Sequence, residues 1–124
     1  MKTPIVLLFS CDPLVERAVQ EAVLSTRHGL REVRNSPDAF EVLQNQCADV
    51  DVAIIDLDPG MHGAALLEAA SERLPVIALT SLEENYMTPL VKRHGALACV
   101  SKPFEPETLA AVIERVQRHV AAAI

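Results

Sequence analysis

The sequence predicts one α/β domain in which helices cover both faces of a parallel β-sheet. Short apolar runs alternate with segments whose apolar residues recur at helical spacing. Continuous apolar runs are typical of strands buried on both faces, as in a parallel sheet. The alternation gives five β–α units in 124 residues, a length that suits one domain. We therefore expect a single domain over residues 1–124.

The predicted strands are the apolar runs that end at polar or turn-forming residues. Three are continuous and strongly apolar, at 5–9, 52–55 and 76–79. A short strand is predicted at 30–33 and a last strand at 97–100. A segment with helical apolar spacing follows each strand, so consecutive strands are expected to run parallel.

Capping residues and glycines mark the ends of the predicted helices. Asp12 and Ser36, each followed by proline, are predicted N-caps. The first helix is predicted to begin between 13 and 16 and to extend to 27, where Gly29 closes it. Gly95 is predicted to end the fourth helix. Two further helices are predicted at 64–73 and 83–94. A final helix is predicted from the apolar stripe Leu109, Val112, Ile113, Val116 and Val120.

Composition argues against several kinds of partner. The net charge is −6, so there is no basic excess to neutralise the phosphates of a nucleic acid. The three cysteines, Cys11, Cys47 and Cys99, are widely spaced and form no CxxC, which favours a reducing cytoplasm over a disulfide framework. The apolar run at 5–9 is too short for a signal peptide or a membrane span, so no membrane contact is expected.

Polar residues follow four of the predicted strands. Ligands of open parallel sheets bind at the carboxyl ends of the strands, so these residues are expected to share one edge. They are Ser10, Cys11 and Asp12 after strand one, Asp56 and Asp58 after strand three, Thr80 and Ser81 after strand four, and Lys102 and Pro103 after strand five.

The chemistry of this group suits phosphoryl transfer to an aspartate. The Asp56 carboxylate can accept a phosphoryl group and hold it as an acyl phosphate. The Thr80 hydroxyl and the Lys102 ammonium are suitable donors to the new phosphate oxygens. Lys102-Pro103 is also a candidate cis peptide bond, whose tight bend would aim Lys102 inward.

Three segments resemble the receiver domain of bacterial response regulators. They are Ile54-Ile55-Asp56-Leu57 ahead of the loop 59–63, the run 75–81 with Thr80 and Ser81, and the run 95–104 with Lys102, Pro103 and Phe104. Their order and spacing hold over nearly the whole chain. The resemblance implies a flavodoxin-like (βα)5 fold, a doubly wound parallel sheet with strand order 2-1-3-4-5.

The resemblance also implies roles and partners. Asp56 is the implied phosphoacceptor, Thr80 the switch hydroxyl and Lys102 the phosphate-contacting lysine. The implied upstream partner is a histidine kinase or a phosphotransfer protein. An output domain or another protein is expected on the face formed by helix 4, strand 5 and helix 5, and a homodimer is a further option.

Three departures from the family pattern concern the same site. The family ends its first strand with two acidic residues that hold Mg²⁺, whereas this chain has Ser10 and Cys11. A thiol is a poor ligand for Mg²⁺, so the Mg²⁺ cofactor site implied by the family is expected to be impaired. The remaining candidate ligands are Asp12, Asp56 and Asp58. The loop after Asp56 is one residue shorter than in the family. Cys99 stands where the family often has a switch aromatic.

Two modes of action remain open for a receiver domain of this kind. Asp56 either accepts phosphate, or the domain is degenerate and acts through protein contacts alone. Other classes are a small α/β enzyme or ligand-binding domain, and a structural dimerisation module. The enzyme class is disfavoured, because no glycine-rich phosphate loop follows the first strand and no histidine is placed as a base for Ser10 or Cys11.

Overall fold

The five strands form one parallel sheet in the order β2-β1-β3-β4-β5. The computed structural model describes residues 4–57 and 63–122. The strands are β1 Ile5–Phe9, β2 Gly29–Val33, β3 Val52–Asp56, β4 Val76–Thr80 and β5 Ala98–Ser101. The (βα)5 fold and the strand order 2-1-3-4-5 are therefore confirmed.

A helix follows every strand, as the sequence predicted. The helices are α1 Pro13–Ser25, α2 Ser36–Asn45, α3 Gly63–Ser71, α4 Glu84–Arg93 and α5 Pro106–Ala122. Residues 58–62, between β3 and α3, lie outside the described residues. Where the sequence predicted bounds for an element, the observed bounds lie within two residues of them.

The sheet divides the hydrophobic core into two layers. Along β1, Leu7 and Phe9 face the layer that includes side chains from α2, α3 and α4. Val6 and Leu8 face the opposite layer, which is completed by α1 and α5. Because both faces of the sheet are buried at β1, β3 and β4, these strands carry continuous apolar runs instead of an alternating pattern.

The N-cap of α1 is as predicted, whereas that of α2 lies one residue earlier than predicted. Asp12 Oδ1 accepts a hydrogen bond from the Leu14 amide at 2.9 Å. For α2, Asn35 is the cap, because its Oδ1 accepts from the Asp38 amide at 2.9 Å. Ser36 is instead the first residue of the helix and is buried. Asparagine and serine are similarly good N-caps, and the two residues are adjacent in the sequence. The pattern alone did not distinguish them, and the prediction of Ser36 was wrong.

The end of α1 also differs from its prediction. The left-handed residue after the helix is Arg27, with φ of 62°, and the His28 amide donates to the Val23 carbonyl. Gly29 instead begins β2, where it pairs with Ile5. The prediction for α4 is confirmed, since Gly95 has φ of 106°. Both ends form the pair of hydrogen bonds that commonly closes a helix, although only α4 uses glycine for it.

Candidate functional site

Asp56 is the last residue of the central strand β3 and lies in the middle of the candidate site. Its neighbours β1 and β4 end on either side, and β5 lies one strand beyond β4. Parallel strands place their carboxyl ends at one edge, so this order brings the predicted polar residues together. Asp56 is only 2% exposed, which removes its carboxylate from bulk water.

Lys102 neutralises the buried carboxylate. Its Nζ lies 2.7 Å from Asp56 Oδ1, and the two side chains are 11% and 3% exposed. The backbone positions this lysine, because the Lys102 amide donates to the Thr80 carbonyl at 2.7 Å and the peptide bond to Pro103 is cis, as predicted. A buried carboxylate is stable only when a partner compensates its charge, and Lys102 supplies that compensation.

Ser10 holds the other oxygen of the same carboxylate. Its Oγ donates to Asp56 Oδ2 at 2.8 Å and accepts from the Asp12 amide at 3.1 Å. Sequence reasoning treated Ser10 as the loss of an acid and missed this bond. The strand register contains the signal, because Phe9 pairs with Ile55 and the next residues along the two strands are therefore neighbours.

Thr80 is buried at the end of β4, directly beside β3. Its Oγ1 accepts a hydrogen bond from the Leu82 amide at 3.0 Å, and Ser101 Oγ donates to the Leu82 carbonyl at 3.0 Å. The threonine hydroxyl is therefore engaged in the turn that leads to α4, and that turn is also tied to the end of β5.

A continuous chain of hydrogen bonds thus crosses the carboxyl edge of the sheet. It begins at the Asp12 amide, passes through Ser10 Oγ to Asp56 and continues to Lys102. It joins the start of α1 to β3 and to the end of β5. We name these four residues the Asp56 cluster.

Comparison with known proteins decides the family. A sequence model described as the response regulator receiver domain matches residues 6–114. The chain belongs to this family. Receiver domains are signalling modules of two-component systems, generally not enzymes, and they interact with histidine kinases and output domains.

Two curated relatives are whole response regulators. The DNA-binding transcriptional regulator NtrC of Escherichia coli is 27% identical over 122 residues, which are 96% of this chain and 26% of NtrC. The response regulator RppA of Synechocystis is 29% identical over 117 residues, 91% of this chain and 50% of RppA. This chain therefore spans between about a quarter and a half of the length of these relatives.

Solved receiver domains share the fold at lower identity. A CheY-like receiver domain from Methanospirillum hungatei superposes with a TM-score of 0.84 at 18% identity, covering 99% of this chain and 100% of that one. The chemotaxis response regulator CheY4 of Vibrio cholerae gives 0.78 at 24% identity, with 93% and 99% covered. These comparisons establish the backbone architecture of a receiver domain.

The described residues do not fit the Mg²⁺ site that is typical of receiver domains. Asp12 caps α1 through Oδ1, and Asp56 is bonded by a hydroxyl and an ammonium. Cys11 is exposed, and its sulfur is a soft atom where Mg²⁺ prefers oxygen. Over 4–57 and 63–122, no group of three or more His, Cys, Asp or Glu side chains is placed to hold a metal ion. The third candidate ligand, Asp58, lies outside the described residues.

Cys99, on β5, occupies the position where receiver domains often carry an aromatic side chain. It is buried among the residues that α4 covers. Burial, followed by the nearby Glu84 carboxylate, raises the pKa of the Cys99 thiol above its ordinary value of 9.0. The thiol is therefore protonated at neutral pH and packs as a small apolar group.

A cavity of about 300 Å³ opens beside the Asp56 cluster. It lies between the start of α1 and the segment after β5, and its lining is mostly apolar. Two members of the Asp56 cluster contribute to its wall, together with side chains from both segments. The lining residues are Asp12, Leu14, Val15, Ala18, Ser81, Lys102, Pro103 and Phe104.

None of the helices in the described ranges is both long enough and apolar enough to cross a membrane.

Proposed function

We propose that this receiver domain signals through protein contacts, and that Asp56 is a fixed structural carboxylate rather than a phosphoacceptor. The observation that supports this best is the engagement of both carboxylate oxygens. Ser10 Oγ binds one oxygen at 2.8 Å and Lys102 Nζ binds the other at 2.7 Å.

Electrostatics supports the proposal. Negative charge accumulates when a phosphoryl group approaches a carboxylate, and a metal ion normally offsets that charge. Here the compensating cation in the described residues is Lys102, which is already paired with Asp56. The acidic pair that would bring a second cation is replaced by Ser10 and Cys11.

The geometry of Ser10 supports it as well. A carboxylate oxygen attacks phosphorus through a lone pair, and a hydrogen bond to that oxygen lowers its nucleophilicity. Ser10 is buried and its hydroxyl also accepts from the Asp12 amide. Attack by Oδ2 would weaken the bond from Ser10, because an oxygen bonded to phosphorus is a poorer acceptor than a free carboxylate oxygen.

A phosphoaccepting receiver domain is the second candidate. The positions of Asp56, Thr80 and Lys102 at one edge of the sheet favour it. In that case Asp12 or Asp58 would have to supply the carboxylate for Mg²⁺. The upstream partner would then be a histidine kinase or a phosphotransfer protein.

The test is phosphorylation by a small donor. The chain is incubated with acetyl phosphate or phosphoramidate, with and without Mg²⁺, and its intact mass is recorded, with Asp56→Asn as the control. We expect no gain in mass. A gain of one phosphoryl group that Asp56→Asn abolishes would refute the proposal and establish the second candidate.

A gain-of-function variant keeps a negative result informative. Restoring the acidic pair with Ser10→Asp and Cys11→Asp should give a Mg²⁺-dependent mass gain at Asp56. The matched neutral variant, Ser10→Asn with Cys11→Asn, should give none. If the acidic variant also fails while remaining folded, the missing pair is not the reason for inactivity.

Partners and location follow from the same proposal. We infer that residues 1–124 act as one receiver unit, linked to an output domain or a protein partner through the face formed by α4, β5 and α5. The three free cysteines, Cys11, Cys47 and Cys99, suit a reducing compartment, and we propose the cytoplasm.

A further inference from the structure

A cavity of about 210 Å³ lies between the C-terminal parts of α4 and α5. It is lined by Lys92 of α4, by Leu97, and by Arg115, Val116 and His119 of α5. Because Leu97 directly precedes β5, the cavity lies toward the amino edge of the sheet, away from the Asp56 cluster. At about 30 Å³ for each water molecule, it has room for about seven waters or for one small organic molecule.

The polar part of the cavity wall is basic. Lys92, Arg115 and His119 supply nitrogen donors, and none of the described residues that line the cavity is acidic. The chain as a whole has a net charge of −6, so its composition does not account for three basic side chains around one cavity. The apolar part of the wall consists of Val116, which is buried, and Leu97, which is 37% exposed.

These basic side chains have no acidic partner. In the part of the chain that the structure describes, none of the three takes part in a salt bridge. Arg118, also on α5, instead pairs with Glu114. The helix dipole favours Lys92 and His119, which lie in the last turns of their helices, but Arg115 lies within α5. A bound anion would compensate the charge of Arg115.

The arrangement of the donors suits a phosphate group. Arg115 and His119 are one turn apart and therefore lie on the same side of α5, and Lys92 reaches the same cavity from α4. A guanidinium group binds two phosphate oxygens at once, while an ammonium group contributes a compact charge. A phosphate monoester has three strong acceptor oxygens, one more than a carboxylate, so it can engage all three donor groups.

We propose that this cavity binds a small phosphate monoester, with its phosphate on the three basic side chains and its organic part against Leu97 and Val116. Such a ligand would join α4 to α5. Because Val91 is the one buried residue of α4, this additional contact would hold the C-terminal end of the helix in place. The consequence for signalling through the face formed by α4, β5 and α5 rests on the proposed function, whereas the binding itself does not.

The first test is a titration with glycerol phosphate, followed in the amide NMR spectrum of the isotope-labelled chain. The ionic strength is kept constant, so that general screening of surface charges does not contribute. We expect saturable shifts at Lys92, Leu97 and Arg115. Glycerol, which lacks the phosphate, should give no shifts there, and acetate should bind much more weakly because it has one oxygen fewer.

A matched pair of arginines provides the second test. Arg115→Gln should weaken the binding of glycerol phosphate by about tenfold or more, because a charge-assisted bond to the phosphate is lost. Arg118→Gln removes the same charge from the same helix outside the cavity, and it should leave the affinity unchanged. Unchanged amide signals in the strands establish that both variants are folded.

Amide hydrogen exchange tests the link between the two helices. Glycerol phosphate should slow exchange in α4 of the wild type, because local opening of this helix would break the contact between Lys92 and the ligand. The effect should be absent in Lys92→Gln, which lacks the ammonium group of α4.

Four results would overturn the inference. They are shifts that do not saturate up to about 10 mM glycerol phosphate, equal responses to glycerol phosphate and acetate, equal affinities of Arg115→Gln and Arg118→Gln, and exchange in α4 that the ligand does not slow. Glycerol phosphate is a stable ester that does not phosphorylate carboxylates. Failure of these experiments would therefore leave the phosphorylation result at Asp56 untouched.

Discussion

Lys102 is the residue on which the Asp56 cluster depends for its charge balance. Its ammonium lies 2.7 Å from a carboxylate that is almost fully buried. Removing one partner of such a pair leaves a buried charge, which costs far more than the pair itself contributes. This asymmetry is measurable by unfolding single and double variants.

We expect Lys102→Met to lower the free energy of unfolding by about 3–5 kcal/mol. Adding Asp56→Asn to Lys102→Met should recover much of that loss, because the buried charge is then gone. Urea unfolding of the four proteins in this cycle measures the coupling energy. The exposed Lys92→Met is the control, with an expected change within about 0.5 kcal/mol. Equal losses for the two lysine variants would contradict this picture of the cluster.

The buried Cys99 thiol predicts that the free energy of unfolding depends on pH in alkaline solution. Burial raises the pKa of its thiol above 9.0 in the folded chain, while the unfolded chain retains the ordinary value. Between the two values the unfolded state binds fewer protons, so the free energy of unfolding falls as the pH rises above about 9.

The measurement compares urea unfolding on either side of pH 9 for the wild type and Cys99→Val. The wild type should lose more stability across this interval than the variant does. Cys11→Ser is the control, because Cys11 is exposed and its substitution should leave the pH dependence unchanged. Parallel profiles for the wild type and Cys99→Val would show that burial of the thiol has no effect on stability.

At the scale of the element, α4 is a helix that few buried side chains anchor to the sheet. Pro89 lies in its interior, where it lacks the amide that would donate to the Asn85 carbonyl. Val91 is its one buried residue. Helices with few buried contacts are the segments that open locally at low free energy.

Pro89→Ala should therefore make α4 harder to open. An interior proline costs about 3 kcal/mol, and each 1.4 kcal/mol corresponds to a tenfold change, so opening should become up to about 100-fold rarer. Cys99 lies beneath α4 and reports the opening through its rate of alkylation, resolved by mass spectrometry. The exposed Cys11 should react equally fast in both proteins. An unchanged rate at Cys99 would mean that Pro89 does not limit the stability of α4.

At the scale of the whole molecule, local pattern was sufficient for the elements of the fold. Strands buried on both faces carry unmistakable apolar runs. The capping predictions at Asp12 and Gly95 were right, whereas those at Ser36 and Gly29 were wrong. Where adjacent residues compete for one role, as Asn35 and Ser36 do, local pattern cannot choose between them. The end of α1 was missed because Arg27 takes the left-handed conformation that was expected of Gly29, and Gly29 begins β2.

The candidate site was predicted less completely, for a physical reason. The order of strands in the sheet came from the family resemblance, because β–α alternation alone permits several orders. The bond between Ser10 and Asp56 depends on the register of β1 against β3, which is a tertiary property. Sequence comparison with a family shows which residue is missing, whereas only the structure shows that its replacement, Ser10, bonds Asp56.

The bond between Lys102 and Asp56 also has a mechanical consequence. β5 is a strand of four residues at the margin of the sheet, and β4 separates it from β3. Lys102 extends past β4 to the central strand, so its bond to Asp56 connects the edge of the sheet to its centre. A pulling force applied through α5 would therefore act on β3 as well as on β5. The short edge strand would then resist detachment more strongly than its backbone hydrogen bonds to β4 alone would allow.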